Sequence, residues 1–325
     1  MKDWDELTEA GKHRRLRAVA ADALHHYPIT PTGLRLIGGF SNVLFRVDTA
    51  EGPYALRIDY LDEHTDEQAA IEAAWLTALG ETDLDVCHIV PTTSGAPVVQ
   101  VSGAGVPRDR RCTLFEWVPG RPLGERLPPA RYHQLGRLSA GLHRHGAGFT
   151  PPTAPMPWDR IFYWPEEVDP IVWDRPENAH HFAGGRRHIV ERAIAAVEPA
   201  FTRLDPAGAQ VIHGDLHPDN VHVLRSRMIA LDFEDVTWGH PVQDVAISLF
   251  YERDHPDYAE LRAAFEQGYR TVADWPVAYD GELEHFMAAR TIMFVNYVFN
   301  IDHDPAAYLD IALPRLQDFL DRWAP

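Results

Sequence analysis

The chain has 325 residues, of which 45% are hydrophobic, so it is long enough for two lobes or domains and is not disordered by composition. Its 30 lysines and arginines stand against 48 aspartates and glutamates, and the net charge of -18 weighs against a nucleic-acid partner. No apolar stretch approaches the length of a membrane span, and the charged N-terminus lacks the apolar core of a signal peptide, so we expect a cytoplasmic protein without a membrane partner.

The first predicted elements are a helix and an antiparallel hairpin. Helical spacing with few breakers predicts a helix over residues 3–26, ending before Pro28. Two apolar runs at 34–37 and 43–47 flank a glycine-bearing turn, which is typical of paired antiparallel strands, and a third strand follows at 54–58. The chain therefore begins with an extra helix and a small sheet.

One helix interrupts the predicted sheet. An apolar stripe at helical spacing predicts a helix over residues 66–79, and further strands are predicted at 98–101 and 113–118. Five strands with one inserted helix form a small N-terminal lobe, which we place at residues 1–118.

The rest of the chain is mainly helical. After a Pro-Gly break, a helix is predicted over 128–145, and the stretch from 146 to 185 is irregular and rich in Pro and Trp. Further helices are predicted at residues 186–204, 241–252, 258–272, 281–300 and 306–323. The fold class is therefore α+β, with a second, helical domain at residues 119–325.

Two short motifs in this second domain carry groups suited to phosphoryl transfer. The run His-Gly-Asp-Leu-His-Pro-Asp-Asn occupies 213–220, and Leu-Asp-Phe-Glu-Asp occupies 231–235. Transfer from a nucleotide needs a carboxylate that orients and deprotonates a hydroxyl, and hard oxygen ligands that hold magnesium on the phosphates. Asp215 suits the first task, and Asn220 with Asp232 suits the second. Asp and Asn also commonly cap turns, but three such residues in this order and spacing favour the catalytic interpretation.

These motifs resemble the H-G-D-x-x-x-x-N and I-D-[FW]-E segments of the aminoglycoside phosphotransferase family, and residues 239–246 resemble its G-x-P-x-x-D-[LV]-A segment. The resemblance implies a protein-kinase-like, two-lobe fold. The N-terminal lobe, a small antiparallel sheet with one helix, binds nucleotide, and the larger, mainly helical lobe carries the catalytic loop and the substrate site. It further implies ATP and Mg²⁺ as cofactors, Asp215 as catalytic base, Asn220 and Asp232 as magnesium ligands, and Asp244 as a structural carboxylate.

The turn of the first hairpin is the predicted phosphate-binding loop. Glycines allow the backbone to approach phosphate closely, and turn amides or a serine can donate to phosphate oxygens. A two-glycine turn is by itself usually only a hairpin, but this one resembles the family's G-x-x-N-x-x-[FY]-x-V form. The residues predicted to bind nucleotide here are Gly38, Gly39, Ser41 and Asn42.

Arg57 stands where protein kinases carry a phosphate-binding lysine, which is the main departure from the general kinase pattern. An arginine keeps its charge and can bridge a carboxylate and phosphate oxygens. Glu72 is the predicted partner, with Glu67 as the alternative. The predicted adenine-binding hinge consists of Glu116, Trp117 and Val118.

The acceptor site is the least defined by sequence. In the family it lies against the helical lobe, so acidic residues after the second motif are candidates. The predicted substrate-binding residues are Glu234, Glu252, Asp254 and Asp302, with Asp235 as a further candidate and with Trp158, Tyr163, Trp164 and Trp173 available for stacking. The acidic balance favours a cationic acceptor by electrostatic steering, and it is equally compatible with a soluble acidic surface.

Three functions remain open at this point. The first is an ATP- and Mg²⁺-dependent kinase that phosphorylates a hydroxyl of a small molecule such as an aminoglycoside, an amino alcohol or a sugar. The second is a protein Ser/Thr kinase like the bacterial stress-response kinases. The third is a nucleotide-binding pseudokinase, supported only by Arg57. The sequence does not define the oligomeric state.

Overall fold

The computed structural model describes residues 2–39, 41–61, 64–124, 128–301 and 304–324. It divides into two compact units. The first comprises Met1–Arg121, Pro151–Thr153 and His222–Glu234, and the second comprises Pro122–Thr150, Ala154–Val221 and Asp235–Pro325. The hairpin segment at 222–234, which the sequence places in the helical domain, thus packs with the N-terminal unit.

The first unit is a five-stranded antiparallel sheet with two helices. In chain order it contains α1 (Glu9–Leu24), β1 (Gly33–Gly38), β2 (Asn42–Asp48), β3 (Pro53–Asp59), α2 (Asp66–Leu79), β4 (Val99–Val101) and β5 (Arg110–Glu116). The strand order is β1-β2-β3-β5-β4. Sequence analysis predicted these five strands and the helix between β3 and β4, and this part of the prediction is confirmed.

Alternating side chains explain why α1 covers one face of this sheet. Val43, Phe45 and Val47 in β2 are buried, while the residues between them are partly exposed. They share a core with the buried face of α1, which includes Leu16 and Val19. Since successive side chains of a strand point to opposite faces, this alternation defines a sheet with its apolar face under the helix.

The second unit is mainly helical, with six α-helices among its described residues. After a two-residue strand β6 (Arg121–Pro122), the longer elements are α3 (Pro129–Gly146), α4 (Arg186–Arg203), α5 (Pro241–Phe250), α6 (Tyr258–Arg270), α7 (Glu282–Asn300) and α8 (Pro305–Trp323). Helices α3 and α6 approach closely at glycines. A Cβ on Gly136 would lie 2.0 Å from the Phe265 carbonyl oxygen, and one on Gly268 would lie 1.9 Å from that of His133.

Short strands surround the segment that carries the two motifs. They are β7 (Gln210–Ile212), β8 (Val221–Leu224), β9 (Arg227–Ala230) and β10 (Thr237–Gly239). Strand β7 pairs antiparallel with β10, and β8 pairs with β9. The pairing of β7 with β10 was not predicted, because a three-residue strand is too short to show a period.

The prediction of one continuous N-terminal helix over residues 3–26 is wrong. A 3₁₀ turn at Trp4–Glu6 precedes α1, which begins after Thr8. The Thr8 side chain accepts a hydrogen bond from the Gly11 amide, so it caps α1 and separates it from the preceding turn. Within the described residues, no helix is both long and apolar enough to cross a membrane.

Candidate active site

The catalytic loop is held by one buried carboxylate. Asp244, in the first turn of α5, is fully buried and accepts hydrogen bonds from the backbone amides of His213 (2.9 Å) and Gly214 (2.8 Å). His143 of α3 lies 3.0 Å from the same carboxylate through its Nε2 atom. Burial raises the pKa of Asp244, but His143 and His213 outweigh it and hold the pKa below its ordinary value. The loop is therefore tied to two helices through a single ionised side chain.

Gly214 allows the loop to turn tightly beside the second motif. Its φ is +81°, a left-handed conformation that favours glycine. A Cβ at this position would lie 2.1 Å from the carbonyl oxygen of Asp235. Any side chain here would displace the residue that follows it, Asp215.

The Asp215 carboxylate makes contacts on both oxygens. Asn220 donates from its amide nitrogen to Oδ2 (3.1 Å) and to the Asp215 carbonyl (2.9 Å), and His217 Nε2 lies 3.3 Å from Oδ2. Arg290 forms an ion pair with Oδ1. Burial raises the pKa of Asp215, but Arg290 and His217 outweigh it and lower the pKa to about 2. The carboxylate is ionised at neutral pH and fixed in orientation.

Arg290 was not predicted from the sequence. It lies on α7 with 6% of its surface exposed, and its Nη2 also donates to the Tyr251 hydroxyl (3.2 Å). The available signal was its isolation: between Glu284 and Asn300 it is the only Asp, Glu, Lys or Arg residue in an otherwise apolar helix. A single charge in such a helix requires a buried partner, and that partner here is Asp215.

In the first unit, Arg57 pairs with Glu72. Arg57 on β3 donates from Nη1 to Glu72 Oε1 (2.9 Å) and from Nη2 to Oε2, and the exposed fractions of the two side chains are 11% and 3%. Burial lowers the pKa of Arg57, but Glu72 and Glu234 outweigh it and raise the pKa. The alternative partner Glu67 lies on the exposed first turn of α2.

Asp232 and Glu234 lie beside this pair. The Nη1 atom of Arg57 is 3.7 Å from Asp232 Oδ1 and 3.5 Å from Glu234 Oε2. Asp232 has a φ of +59°, a strained conformation for a residue that is not glycine, and such strain is concentrated at functional sites. Its side chain is 45% exposed, so the carboxylate is accessible.

The predicted phosphate-binding loop contacts Glu234. Ser41 donates from its hydroxyl (3.4 Å), and Asn42 donates from its side-chain amide. Gly39 has a φ of +139°, and a Cβ there would lie 1.8 Å from the Asn42 carbonyl oxygen, so only glycine fits. Glu234, predicted with the substrate residues, is thus placed among the predicted nucleotide residues. Gly38 is similarly left-handed, with a φ of +150°.

The other predicted residues occupy varied surroundings. Glu116 ends β5, and the Trp117 ring packs 4.7 Å from the guanidinium of Arg46, while Val118 follows the strand. Glu252 is 8% exposed, and Asp254 forms an ion pair with Arg315. Asp302 lies outside the described residues. The aromatic residues Trp158, Tyr163 and Trp173 are each less than 7% exposed, so most of their surface is already packed.

Asn220 and Asp232 each carry an oxygen donor of the kind that magnesium prefers. The amide nitrogen of Asn220 donates to Asp215, so its carbonyl oxygen is the atom that a cation would meet. Magnesium is usually held by one or two carboxylates together with substrate phosphates and water. Among the described residues no group of three or more His, Cys, Asp or Glu could hold a metal by itself.

Comparisons with known proteins identify the family and the fold. The profile of the phosphotransferase enzyme family matches residues 32–280. Hydroxylysine kinase of Bos taurus is 27% identical over 54% of this chain and 50% of its own length. The structure of the microcompartment-associated aminopropanol kinase superposes with a TM-score of 0.76 at 25% identity, over 93% of this chain and 95% of that one. An amicoumacin kinase, solved with AMP-PNP and Ca²⁺, gives a TM-score of 0.75 at 16% identity over 96% of both chains.

The family match and the similar structures define an enzyme of the protein-kinase-like fold class, and both the predicted α+β class and the predicted resemblance are confirmed. The chain belongs to the phosphotransferase enzyme family. This chain spans half the length of the hydroxylysine kinase that it matches.

Proposed function

We propose that the protein is an ATP- and Mg²⁺-dependent kinase of a small molecule with an alcohol group. The observation that carries the proposal is the setting of Asp215, which is ionised and fixed by Asn220, His217 and Arg290. Kinases need such a carboxylate to orient the attacking hydroxyl. As the acceptor oxygen bonds to the γ-phosphorus, its proton passes to Asp215 and the bond to the leaving nucleoside diphosphate breaks.

The remaining predicted residues have roles that suit this reaction. Asn220 and Asp232 would hold magnesium, which would neutralise charge on the transferring phosphates. Arg57, fixed by Glu72, would contact phosphate oxygens. The glycine turn with Ser41 would lie over the phosphates, and Glu234 would orient that turn.

The relatives favour an acceptor that carries an amine together with its hydroxyl. Hydroxylysine and aminopropanol, named for two of the similar proteins, both carry an amine and a hydroxyl on a short carbon chain. Proteins of one fold can act on unrelated substrates, so this choice has to be tested directly.

The test is ADP release from Mg²⁺-ATP across amino alcohols, hydroxy amino acids, aminoglycosides, choline, sugars and a generic protein substrate. We expect stimulation by a small alcohol. Stimulation by the protein substrate alone would identify a protein kinase. Failure of every acceptor to stimulate release, with ATP still raising the melting temperature, would favour a pseudokinase.

Replacing Asp232 by alanine should weaken Mg²⁺-nucleotide binding by about 10- to 100-fold, because the metal would lose a carboxylate ligand. Calorimetric titration of AMP-PNP with and without magnesium measures this effect. The magnesium-dependent part of the affinity should disappear, and nucleotide binding without magnesium should change little. An unchanged magnesium dependence would contradict the role of Asp232.

A further inference from the structure

Beside Asp215, three arginines and two tyrosines form a cluster in the second unit. This arginine cluster consists of Arg253, Arg290, Arg315, Tyr251 and Tyr308. Tyr251 and Arg253 follow the end of α5, Arg290 belongs to α7, and the other two belong to α8. Three elements thus bring positive charge to one place in a chain with a net charge of -18.

The two inner arginines share an aromatic surface. The guanidinium of Arg253 lies 3.6 Å from the ring centroid of Phe250, and that of Arg290 lies 5.8 Å from the same centroid. Arg290 also lies 4.9 Å from the ring of Phe294. The Nη1 atom of Arg253 donates to the backbone carbonyl of Phe250, but the aromatic faces supply no acceptor atom for the remaining N–H groups.

Several polar atoms of the cluster are buried without a hydrogen-bond partner. They are Nε and Nη2 of Arg253, Nε of Arg290 and the hydroxyl of Tyr308. Arg290 is itself 94% buried, given its exposed fraction of 6%. Buried donors are almost always satisfied in folded proteins, so these N–H and O–H groups are available to an acceptor that enters the cluster.

The positive charge of Arg253 is also incompletely balanced. Asp215 is engaged by Arg290 and Asp254 by Arg315, and among the described residues Arg253 forms no ion pair. Burial and the neighbouring Arg315 lower the pKa of Arg253 to about 10, and Asp254 offsets this only in part. A guanidinium remains protonated at neutral pH, so Arg253 is a partly buried cation without an ion-pair partner among the described residues.

We propose that the arginine cluster binds a carboxylate group of the acceptor. This inference rests on the proposed kinase function and narrows its substrate to a hydroxy acid or hydroxy amino acid. Arg290 places the cluster next to the predicted catalytic base, because the same guanidinium contacts Asp215 and lies in the cluster. An acceptor with its hydroxyl at Asp215 would therefore have its carboxylate at the cluster. The hydroxyl beside Asp215 and the carboxylate in the cluster then lie on either side of the Arg290 guanidinium. This short separation suits a small molecule and not an oligosaccharide.

The cluster is accessible to such a ligand. Tyr251 is 44% exposed, and Arg253 and Tyr308 are partly exposed. Of the carboxylates predicted to bind a cationic acceptor, Asp254 pairs with Arg315 of the cluster, and Glu252 is only 8% exposed. An anionic end of the acceptor therefore fits this region better than a polycation does.

The test compares acceptors that differ only in the carboxylate. Homoserine against 3-aminopropan-1-ol and serine against ethanolamine are such pairs, and 4-hydroxybutanoate retains the carboxylate without the amine. We expect kcat/KM to favour the acid of the best pair by about 10- to 100-fold, since an arginine–carboxylate contact is charge-assisted and bidentate. In Arg253→Met the ratio of kcat/KM for the acid to that for its partner should fall towards one, mainly because KM for the acid rises. Arg253→Lys should retain part of it, because the charge remains but the planar fork is lost.

Arg203→Met is the matched control. Arg203 lies 5.2 Å from the ring of Tyr279, so its replacement removes an arginine–aromatic contact away from the cluster. The preference for the acid should be unchanged in this variant. Arg290 is unsuitable for the comparison, because it contacts Asp215 and its loss would alter transfer itself.

Calorimetric titration without nucleotide separates this inference from the kinase function. Homoserine or 4-hydroxybutanoate should bind to the wild type and lose at least tenfold in affinity in Arg253→Met. Such binding without any turnover would support the carboxylate site and contradict the proposed kinase function. Turnover of an alcohol without any preference for the acceptor that carries a carboxylate would contradict the carboxylate site and support the proposed kinase function. Binding of inorganic phosphate but of neither hydroxy acid would also overturn it, in favour of a free-anion site.

Discussion

Replacing Asp215 by asparagine is expected to lower kcat by about 100- to 10,000-fold, the usual contribution of a general base. Asparagine keeps the size of the side chain and can still accept a hydrogen bond, but it cannot take the proton of the acceptor hydroxyl. Arg290 would also lose its charged partner. The affinity for the nucleotide should change little, because Asp215 is predicted to contact the acceptor and not the phosphates.

Single-turnover kinetics and titration with AMP-PNP measure the two quantities separately. Asp219→Asn is the matched control, since this aspartate lies in the same loop with its side chain 72% exposed. That variant should transfer phosphate at nearly the wild-type rate. Equal rates for Asp215→Asn and the wild type would refute the assignment of the base.

Replacing Asp244 by alanine is expected to lower the free energy of unfolding by about 3–5 kcal/mol, the usual cost of breaking a buried charged pair. The change removes the acceptor for the amides of His213 and Gly214 and leaves His143 without its carboxylate. Because these amides precede Asp215 directly, the catalytic loop should loosen and activity should fall with stability. Chemical denaturation monitored by circular dichroism measures the effect.

The difference in the free energy of unfolding between the wild type and Asp244→Ala should depend on pH, because the pKa of Asp244 is lowered in the folded protein. A carboxylate whose pKa is lower in the folded state stabilises the protein fully above its unfolded pKa, which is close to the ordinary value of 3.8. This contribution disappears as the pH falls through the lower, folded value. The wild type and Asp244→Ala should therefore differ by a constant amount at neutral pH and converge below about pH 4.

Asp310→Ala provides the control for stability. Asp310 pairs with Arg186 on the surface, with exposed fractions of 65% and 41%, so its loss should cost about 0–1 kcal/mol. A change in stability for Asp244→Ala as small as this would contradict the structural role of the carboxylate.

The sequence alone determined the elements with a clear period or clear boundaries. Helix α2 was predicted at its observed bounds, 66–79, from an apolar stripe at helical spacing, and the structure shows a capping box of Thr65 and Gln68 at its start. The strands of the first sheet alternate or lie between turns, so they were recognised within a few residues. The catalytic motif was also visible, because Asp215, Asn220 and Asp232 lie in fixed order within short stretches of chain.

Contacts between residues far apart in the chain were decided only by the tertiary structure. Arg290 lies 75 residues after Asp215, and α7 has no motif that announces the ion pair, only one isolated charge. Glu234 was assigned to the substrate from its position after the second motif, but packing brings it to Asn42 and Arg57. The arginine cluster likewise combines three elements of the helical unit. Local sequence specifies local periodicity and loop chemistry, whereas the partner of a buried charge depends on which surfaces the folded chain brings together.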